Sequence, residues 1–318
     1  MMFFYQLFYH LYFWLKRLKR SGKTGVFKRP ITYLCDQYSY YFWVLLNRKY
    51  TKFFLKRPVK WGLNQKKRPE RYTVSLTSFP ARIEYAWIAI ETLMRQRFKP
   101  DQIILWLASS QFPDEKIPES LERLKEKGLT VRFCDDLRSH KKYYYVFQEY
   151  PDDHIVIVDD DMFYPLDMIS KLVRLHKRYP QDIVCTSAQI IAPAITSSPT
   201  EWIPTQNTGD YCHKIRVQAF SGAGSLFPCH WYSQELFDLE KIKKLAWTAD
   251  DLWLKTISII NHVKTTKIKK FRAFNVEIDI PHNQTLFSVN KGSGDNLNNI
   301  TWEGLCREYH LKTYDEER

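Results

Sequence analysis

After residue 70, the pattern of apolar and polar positions alternates between strand-like and helix-like segments. Four runs rich in β-branched and aromatic residues are typical of buried strands. They are YTVSL, QIILWLA, LTVRFC and HIVIV. Each is followed by a segment with apolar residues at helical spacing: EYAWIAIETLMRQ, PESLERLKEKG, KKYYYVFQEY and PLDMISKLVRLHKRYP. The order β-α-β-α-β-α-β-α predicts an α/β fold with a mostly parallel sheet and helices on both faces.

The first 70 residues follow a different pattern. Two aromatic and basic stretches, MMFFYQLFYHLYFWLKRLKR and YSYYFWVLLNRKYTKFFLKR, precede a polar linker, WGLNQKKRPER. The first apolar run is too short for a membrane span, and its basic cluster follows it, unlike that of a signal peptide. We therefore predict a helical membrane-associating region and linker at 1–70 and a catalytic domain at 71–318. Ordinary helices that pack on the body or on a partner subunit are the alternative, and a true span is a further one.

Charge separates these two regions. The chain carries +13 overall. Residues 1–70 contain 16 of the 48 Lys and Arg residues but only two acids, which makes that region +14 and the remainder −1. A basic arm on a near-neutral body indicates an anionic membrane surface and no nucleic acid as the partner. The six cysteines form no CxxC pair, which favours free thiols in a reducing compartment.

Three consecutive carboxylates, Asp159, Asp160 and Asp161, follow the fourth strand. Ligands bind at the carboxyl ends of strands in such sheets. The acids have three interpretations: capping of the following helix, a site for Mg²⁺ or Mn²⁺, or an acid–base pair. Strand alternation would place Asp159 and Asp161 on one side, as a metal pair, and would turn Asp160 toward a ribose or the neighbouring backbone.

Five stretches in a particular order resemble glycosyltransferases of the GT-A type. They are VSLTSFPARI, CDDLRSHKKYYY, IVIVDDDMFYP, SGAGSLFP and TADDLWL. The resemblance spans roughly 71–300 and is nearest to bacterial enzymes that build capsular or lipopolysaccharide-type polysaccharides. It implies a GT-A-like (Rossmann-like) fold, a nucleoside diphosphate sugar donor, with a UDP-sugar favoured, and Mn²⁺ or Mg²⁺ as cofactor.

The resemblance also implies a donor side of the site. It assigns nucleotide contacts to the turn after the first strand, base or ribose contacts to the acids after the third strand, and phosphate contacts to one of two lysines. The residues are Thr77, Ser78, Pro80, Arg82, Asp135, Asp136, Lys141 and Lys142. For Arg82, a surface ion pair is an equally good alternative to nucleotide binding. For the two lysines, the alternative is that they lie exposed to solvent at the start of a helix. His282 is the expected third metal ligand, although a lone His is more often structural.

An acceptor side is implied in the same way. Gly222, Ala223 and Gly224 would border the acceptor and pyrophosphate, with a simple turn as the alternative. Trp247 would stack on a sugar ring. Asp251 is the expected base that deprotonates the acceptor hydroxyl, and Asp250 is the reserve; good helix-end electrostatics are the alternative for both.

The resemblance implies transfer of a sugar to a glycan or lipid-linked acceptor in surface polysaccharide synthesis, and through Asp251 it also implies inversion. The enzyme is expected to be cytoplasmic and peripheral on the cytoplasmic face of the bacterial inner membrane. A nucleotidyltransferase acting on sugar phosphates and a non-catalytic membrane-surface scaffold are the alternatives.

Overall fold

The computed structural model describes residues 62–205, 213–268, 276–278 and 296–316. Most of the predicted region 1–70 lies outside these residues, as does His282, so the domain boundary near residue 70 remains a prediction. Within the described residues, no helix is both long enough and apolar enough to cross a bilayer.

Twelve strands and seven α-helices are present in the described residues. The strands are β1 Tyr72–Thr77, β2 Gln102–Ala108, β3 Leu129–Cys134, β4 His154–Ile157, β5 Met162–Phe163, β6 Ile183–Cys185, β7 Ala188–Ile190, β8 Ile203–Pro204, β9 Val217–Ala219, β10 Ser225–Phe227, β11 Thr265–Lys267 and β12 Val276–Glu277. The helices are α1 Ile83–Met94, α2 Glu119–Lys125, α3 Lys141–Glu149, α4 Met168–Arg178, α5 Leu239–Leu245, α6 Asp250–Ile260 and α7 Leu297–Glu308. The predicted alternation of strands and helices up to α4 is confirmed.

The central sheet has seven strands in the order β11-β6-β10-β4-β1-β2-β3. Its neighbours pair in parallel, except that β10 is antiparallel to both β4 and β6. The predicted mostly parallel sheet is therefore correct. Because β10 runs the opposite way, it begins at the edge where the other six strands end.

Both faces of this sheet are covered. One apolar cluster joins β2, β4, β6 and β10 to α3, α6 and α7, and includes Ile155, Phe147 and Trp253. Residues that alternate with these in the strands, such as Val74 and Val156, are also fully buried. Parallel strands buried on both faces are continuous apolar runs, which explains why the sequence shows these strands so clearly.

Two smaller sheets lie outside the central one. β7 pairs with β8 and β9, and β5 pairs with β12. The three-stranded sheet follows β6, and β9 leads through Phe220 into the short helical turn Ser221–Ala223 and then into β10. This route carries the SGAG stretch to the carboxyl edge of the central sheet.

Candidate active site

The three consecutive acids lie in a turn beyond β4, which ends at Ile157. The strand is shorter than predicted, so strand alternation does not decide where the acids point. The next α-helix begins only at Met168, so the capping interpretation is wrong. The side chain of Asp160 is buried, whereas those of Asp159 and Asp161 are 41% and 23% exposed.

Asp160 is held by the turn after β1. Ser78 Oγ donates a hydrogen bond of 2.5 Å to Asp160, and Arg82 donates one of 3.1 Å. The same Arg82 nitrogen lies 2.7 Å from Asp161. Burial raises the pKa of the Asp160 carboxyl in spite of the Arg82 charge. Burial alone would lower the pKa of Arg82. The negative charges of Asp160 and Asp161 outweigh burial, so the pKa of Arg82 is raised. Arg82 is therefore part of the acidic site and not a surface residue.

Lys142, at the start of α3, joins two groups of carboxylates. Its Nζ lies 2.8 Å from Asp159 Oδ1 and 2.9 Å from Asp250 Oδ2. Burial lowers the pKa of Lys142, but the charges of Asp159 and Asp250 outweigh it and leave that pKa well above its usual value. Lys141 instead pairs with Asp136, at 2.6 Å. Both lysines are buried, so the expectation of a solvated helix start is wrong.

The second group of carboxylates lies at the start of α6. Ala249 is the N-cap residue, and the helix begins at Asp250. The Ser221 N–H donates a 3.0 Å hydrogen bond to Asp251 Oδ1, and the Ser221 hydroxyl donates to the same oxygen. Burial and the nearby Asp250 charge raise the pKa of Asp251 to about 7. Burial alone would also raise the pKa of Asp250. The positive charge of Lys142 outweighs burial, so the pKa of Asp250 is lowered.

Gly222 makes the close approach of the SGAG stretch to the acids possible. A Cβ atom on residue 222 would lie 1.7 Å from Asp159 Oδ2, so no side chain fits there. The Asp159 N–H donates to the Gly222 carbonyl at 3.1 Å. The buried Tyr164 hydroxyl accepts from the Asp159 N–H at 2.7 Å and donates to the Gly222 carbonyl at 2.6 Å. The turn and the acids are thus fixed together through their backbones.

Trp247 lies beside this group and is partly exposed. Its ring stacks on His140 at a centroid distance of 6.2 Å, and the Arg138 guanidinium lies 5.5 Å from its centroid. His140 is buried and contacts Tyr143 and the Ala246 carbonyl. Burial lowers the pKa of His140 to about 4. A neutral His140 therefore supports the segment that leads into Asp250.

The remaining predicted residues lie at the same edge but outside the network around Lys142. Thr77 donates to the Trp106 carbonyl, Pro80 is exposed, and Asp135 is exposed at the end of β3. Asp136 pairs with Lys141 and accepts from Gln111. They line the β1–β2–β3 part of the edge, next to the acids.

The acids offer oxygen ligands of the kind that Mg²⁺ and Mn²⁺ prefer. Asp159 and Asp161 are partly exposed, which fits an ion that also binds substrate oxygens. Each also lies against a protein cation, Lys142 or Arg82. Within the described parts of the chain, no group of three or more His, Cys, Asp or Glu residues is arranged to hold a metal ion.

Sequence reasoning did not include Ser221, Tyr164 or His140. Ser221 is the first residue of the SGAG stretch, which the resemblance had already assigned to the site. A hydroxyl side chain next to these glycines could therefore have been predicted as a site residue. Tyr164 and His140 act through backbone groups far along the chain, and no local pattern indicates such contacts.

The solved structures that the chain resembles include glycosyltransferases. S. aureus TarS 1–349 aligns with 64% of this chain and 59% of its own, at 10% identity and a TM-score of 0.41. Mannosyltransferase PcManGT from Pyrobaculum calidifontis, in complex with GDP-Man and Mn²⁺, aligns with 74% of this chain and 64% of its own, at 14% identity and a TM-score of 0.40.

A 4-diphosphocytidyl-2C-methyl-D-erythritol synthase structure aligns with 68% of this chain and 95% of its own, at 10% identity and a TM-score of 0.41. The alignment spans less than two thirds of the length of the TarS and PcManGT chains. No protein-family model matches the chain, and no curated protein sequence does.

Proposed function

We propose that this protein is a glycosyltransferase. It moves a sugar from a nucleoside diphosphate sugar to a hydroxyl group of a glycan or lipid-linked acceptor, with inversion at the anomeric carbon. One observation carries the proposal: Lys142 joins a donor-side carboxylate, Asp159, to an acceptor-side pair, Asp250 and Asp251, at the ligand-binding edge of the sheet.

The donor side supplies charge and shape for a diphosphate. Within the described residues, Lys142 and Arg82 face the strand-end acids, and we infer that they bind phosphate oxygens. Asp159 and Asp161 would hold a divalent cation, which neutralises charge on the departing nucleoside diphosphate. Ser78, Asp160 and the turn after β1 position the nucleotide. These roles are consistent with the burial of Asp160 and the partial exposure of its two neighbours.

The acceptor side supplies a base. In the reaction, the acceptor oxygen forms a bond to the anomeric carbon, the bond from that carbon to the diphosphate oxygen breaks, and the nucleoside diphosphate leaves with the electron pair. Asp251 takes the proton from the attacking hydroxyl. A carboxyl with a pKa of about 7 is suited to general base catalysis near neutral pH. Asp250, paired with Lys142, keeps its charge and raises the pKa of Asp251.

The test is turnover of sugar nucleotides by the full chain, with Mn²⁺ and with EDTA. GDP-Man, named for the PcManGT structure above, and UDP-GlcNAc, named for a second structure of S. aureus TarS 1–349, are the first to try. We expect metal-dependent release of a nucleoside diphosphate from one donor class and loss of that release in Asp251→Asn. A chain that hydrolyses or transfers no sugar nucleotide, but couples a nucleoside triphosphate to a sugar phosphate, would instead be a nucleotidyltransferase.

We also propose that the protein attaches to a membrane surface. The basic aromatic region at 1–70 would hold the enzyme on the cytoplasmic face of a bacterial inner membrane, where a lipid-linked acceptor for surface polysaccharide is available. Sedimentation of the full chain with vesicles that contain anionic lipid tests this attachment. It should weaken as salt rises, and neutral vesicles are the control.

A further inference from the structure

A second group of buried cations lies at the same edge of the sheet, on the other side of Asp251. Lys255 on α6 is 4% exposed, and Lys267 at the end of β11 is 8% exposed. The Lys255 ammonium donates to the Val217 carbonyl at 3.0 Å, and that of Lys267 donates to the Ile268 carbonyl at 3.4 Å. Within the described residues, neither lysine has a carboxylate in ion-pair distance.

The two lysines approach the same point of the sheet. Lys267 pairs in register with Cys185, the last residue of β6, and the positive charges of both lysines act on the Cys185 thiol. Burial lowers the pKa of Lys255 to about 7 and also lowers the pKa of Lys267, and the Cys185 thiol offsets this only in part.

A cleft connects Lys255 to the proposed base. Helix α6 presents Asp251 and Lys255 one turn apart, on one side of the helix. Both line the cleft, together with Ser221, Ser258 and Thr265. Thr265 lies two residues before Lys267 in β11, and alternation in a strand places both on the same face. The cleft therefore runs from Asp251 to Lys255, and Lys267 lies on the face of β11 that carries the cleft residue Thr265.

Within the described residues both ammonium groups lack a carboxylate partner, and a buried cation without a counter-charge is costly to the folded protein. An anion that reaches the carboxyl edge would compensate them. The sequence continues from Lys267 as IKKFR, with three further cations and no acid. The sequence at 267–272 is thus locally basic, although the body as a whole is nearly neutral.

We propose that Lys255 and Lys267 form an anion-binding subsite that receives a negatively charged group, a phosphate or a carboxylate, of the acceptor. That the bound anion belongs to the acceptor rests on the proposed function, whereas the anion-binding site itself rests on the two lysines. The acceptor class would then be an acidic glycan or a phosphate-bearing carrier, held with its reactive hydroxyl near Asp251.

The experiment measures binding of inorganic phosphate and of glucuronate to the full chain at constant ionic strength, by calorimetry and by the thermal unfolding midpoint. The variants are Lys255→Met, Lys267→Met and the double variant, and Lys264→Met is the control because Lys264 is exposed just before β11. We expect one of the two probes to bind about tenfold or more weakly to the double variant and unchanged to the control. The probe that loses affinity identifies the group as a phosphate or a carboxylate.

Folding of the variants is part of the readout. Because Met removes an uncompensated buried charge, Lys255→Met should unfold at the same or a higher temperature than the wild type without added anion. Equal binding of both probes to the wild type and the double variant would overturn the subsite.

Binding of sugar nucleotides to the same variants separates the two proposals. If the lysine variants lose anion binding but the wild type binds no sugar nucleotide, the subsite is supported and the proposed glycosyltransferase function is rejected. Retained sugar-nucleotide turnover with unchanged anion binding would reject the subsite alone.

Discussion

Lys142 and Asp250 form a buried ion pair, with Nζ 2.9 Å from Oδ2. The two residues come from different helices, α3 and α6, and 107 other residues separate them along the chain. The same ammonium group reaches Asp159. One cation therefore ties the strand-end acids to the helix that carries the proposed base.

Lys142→Met should destabilise the protein more than the loss of an ordinary ion pair. The change leaves the Asp250 carboxylate buried without its partner, and we expect the free energy of unfolding to fall by about 3–5 kcal/mol. Chemical denaturation measures this. The control is Lys125→Met, which breaks the exposed pair with Glu122 and should cost less than about 1 kcal/mol.

The double variant Lys142→Met/Asp250→Asn tests the cause of that loss. Since it removes the unpaired charge, it should recover part of the stability lost in the single variant. A double variant no more stable than Lys142→Met would mean that the ion pair is not the source of the effect.

Gly222→Ala should displace Asp159. The new Cβ would lie 1.7 Å from Asp159 Oδ2, so the carboxylate or the backbone has to move. We expect the free energy of unfolding to fall by about 1–3 kcal/mol and sugar transfer to fall by about a hundredfold. Denaturation and donor-turnover assays measure the two effects.

Gly304→Ala is the matched control for that substitution. Gly304 lies within α7, where a Cβ would meet its nearest atom, Leu245 Cδ2, at 3.8 Å. Ala should therefore be neutral or stabilising by up to about 1 kcal/mol. Equal effects of the two substitutions would show that the space beside Asp159 is not the reason Gly222 is needed.

Asp251 should give the transfer rate a pH dependence near neutrality. The base must be ionised, so the rate should rise with pH and level off above about pH 7. Asp251→Asn should lose this dependence together with most of the activity, and Asp250→Asn should shift the midpoint toward lower pH because it removes a neighbouring negative charge. Rates of donor turnover from pH 5 to 9 measure both effects.

The same pKa shift has a consequence for stability. The folded state holds the Asp251 proton more tightly than the unfolded chain, so this group's contribution to stability is greatest below about pH 4 and is lost as the pH rises through about 7. Asp251→Asn should therefore gain stability relative to the wild type at pH 8 but not at pH 4. A relative gain of the same size at both pH values would contradict the assignment.

His176 and His154 should make the fold sensitive to acid. Their rings lie 4.3 Å apart at the opposite edge of the sheet. Glu70 acts on both rings, Asp153 acts on His154, and Lys177 acts on His176. Burial lowers the pKa of His176 to about 4. Because the unfolded chain takes up the proton first, stability should be lost as the pH falls from about 6.5 to 4.

The variant His176→Leu tests this directly. It should weaken the loss of stability across that range by about 1–3 kcal/mol, measured by denaturation at several pH values. His140, whose pKa is also about 4, should retain its own share of the acid sensitivity. An unchanged pH profile in His176→Leu would contradict the role of this pair.

The strands of the first half were predictable almost to the residue. The bounds of β2 and β3 are those of the runs QIILWLA and LTVRFC. β2 is buried on both faces, so it is apolar almost throughout and its bounds show clearly in the sequence. Helix ends are harder to predict than these strand bounds. The apolar spacing did not indicate that Ala249 is the N-cap of α6, because helix ends depend on local hydrogen bonds that spacing does not show.

The sequence did not distinguish the roles of Lys141 and Lys142. Consecutive residues on a helix point about 100° apart, so only one of them can face Asp159 and Asp250. The sequence offered either lysine, and the packing of α3 against the sheet selected Lys142 for the acids and Lys141 for Asp136. The rotation of a helix about its axis follows from the side chains it meets, and these lie far away in the chain.

The sequence by itself determined the α/β alternation and the position of Asp159–Asp161 after a strand, because both follow from local periodicity. Only the tertiary structure decided that β10 enters the sheet antiparallel between β4 and β6. That reversal brings Gly222 against Asp159 and Ser221 against Asp251. Its physical reason is that strand neighbours are chosen by packing between segments some 70 residues apart, which no local pattern of apolar positions encodes.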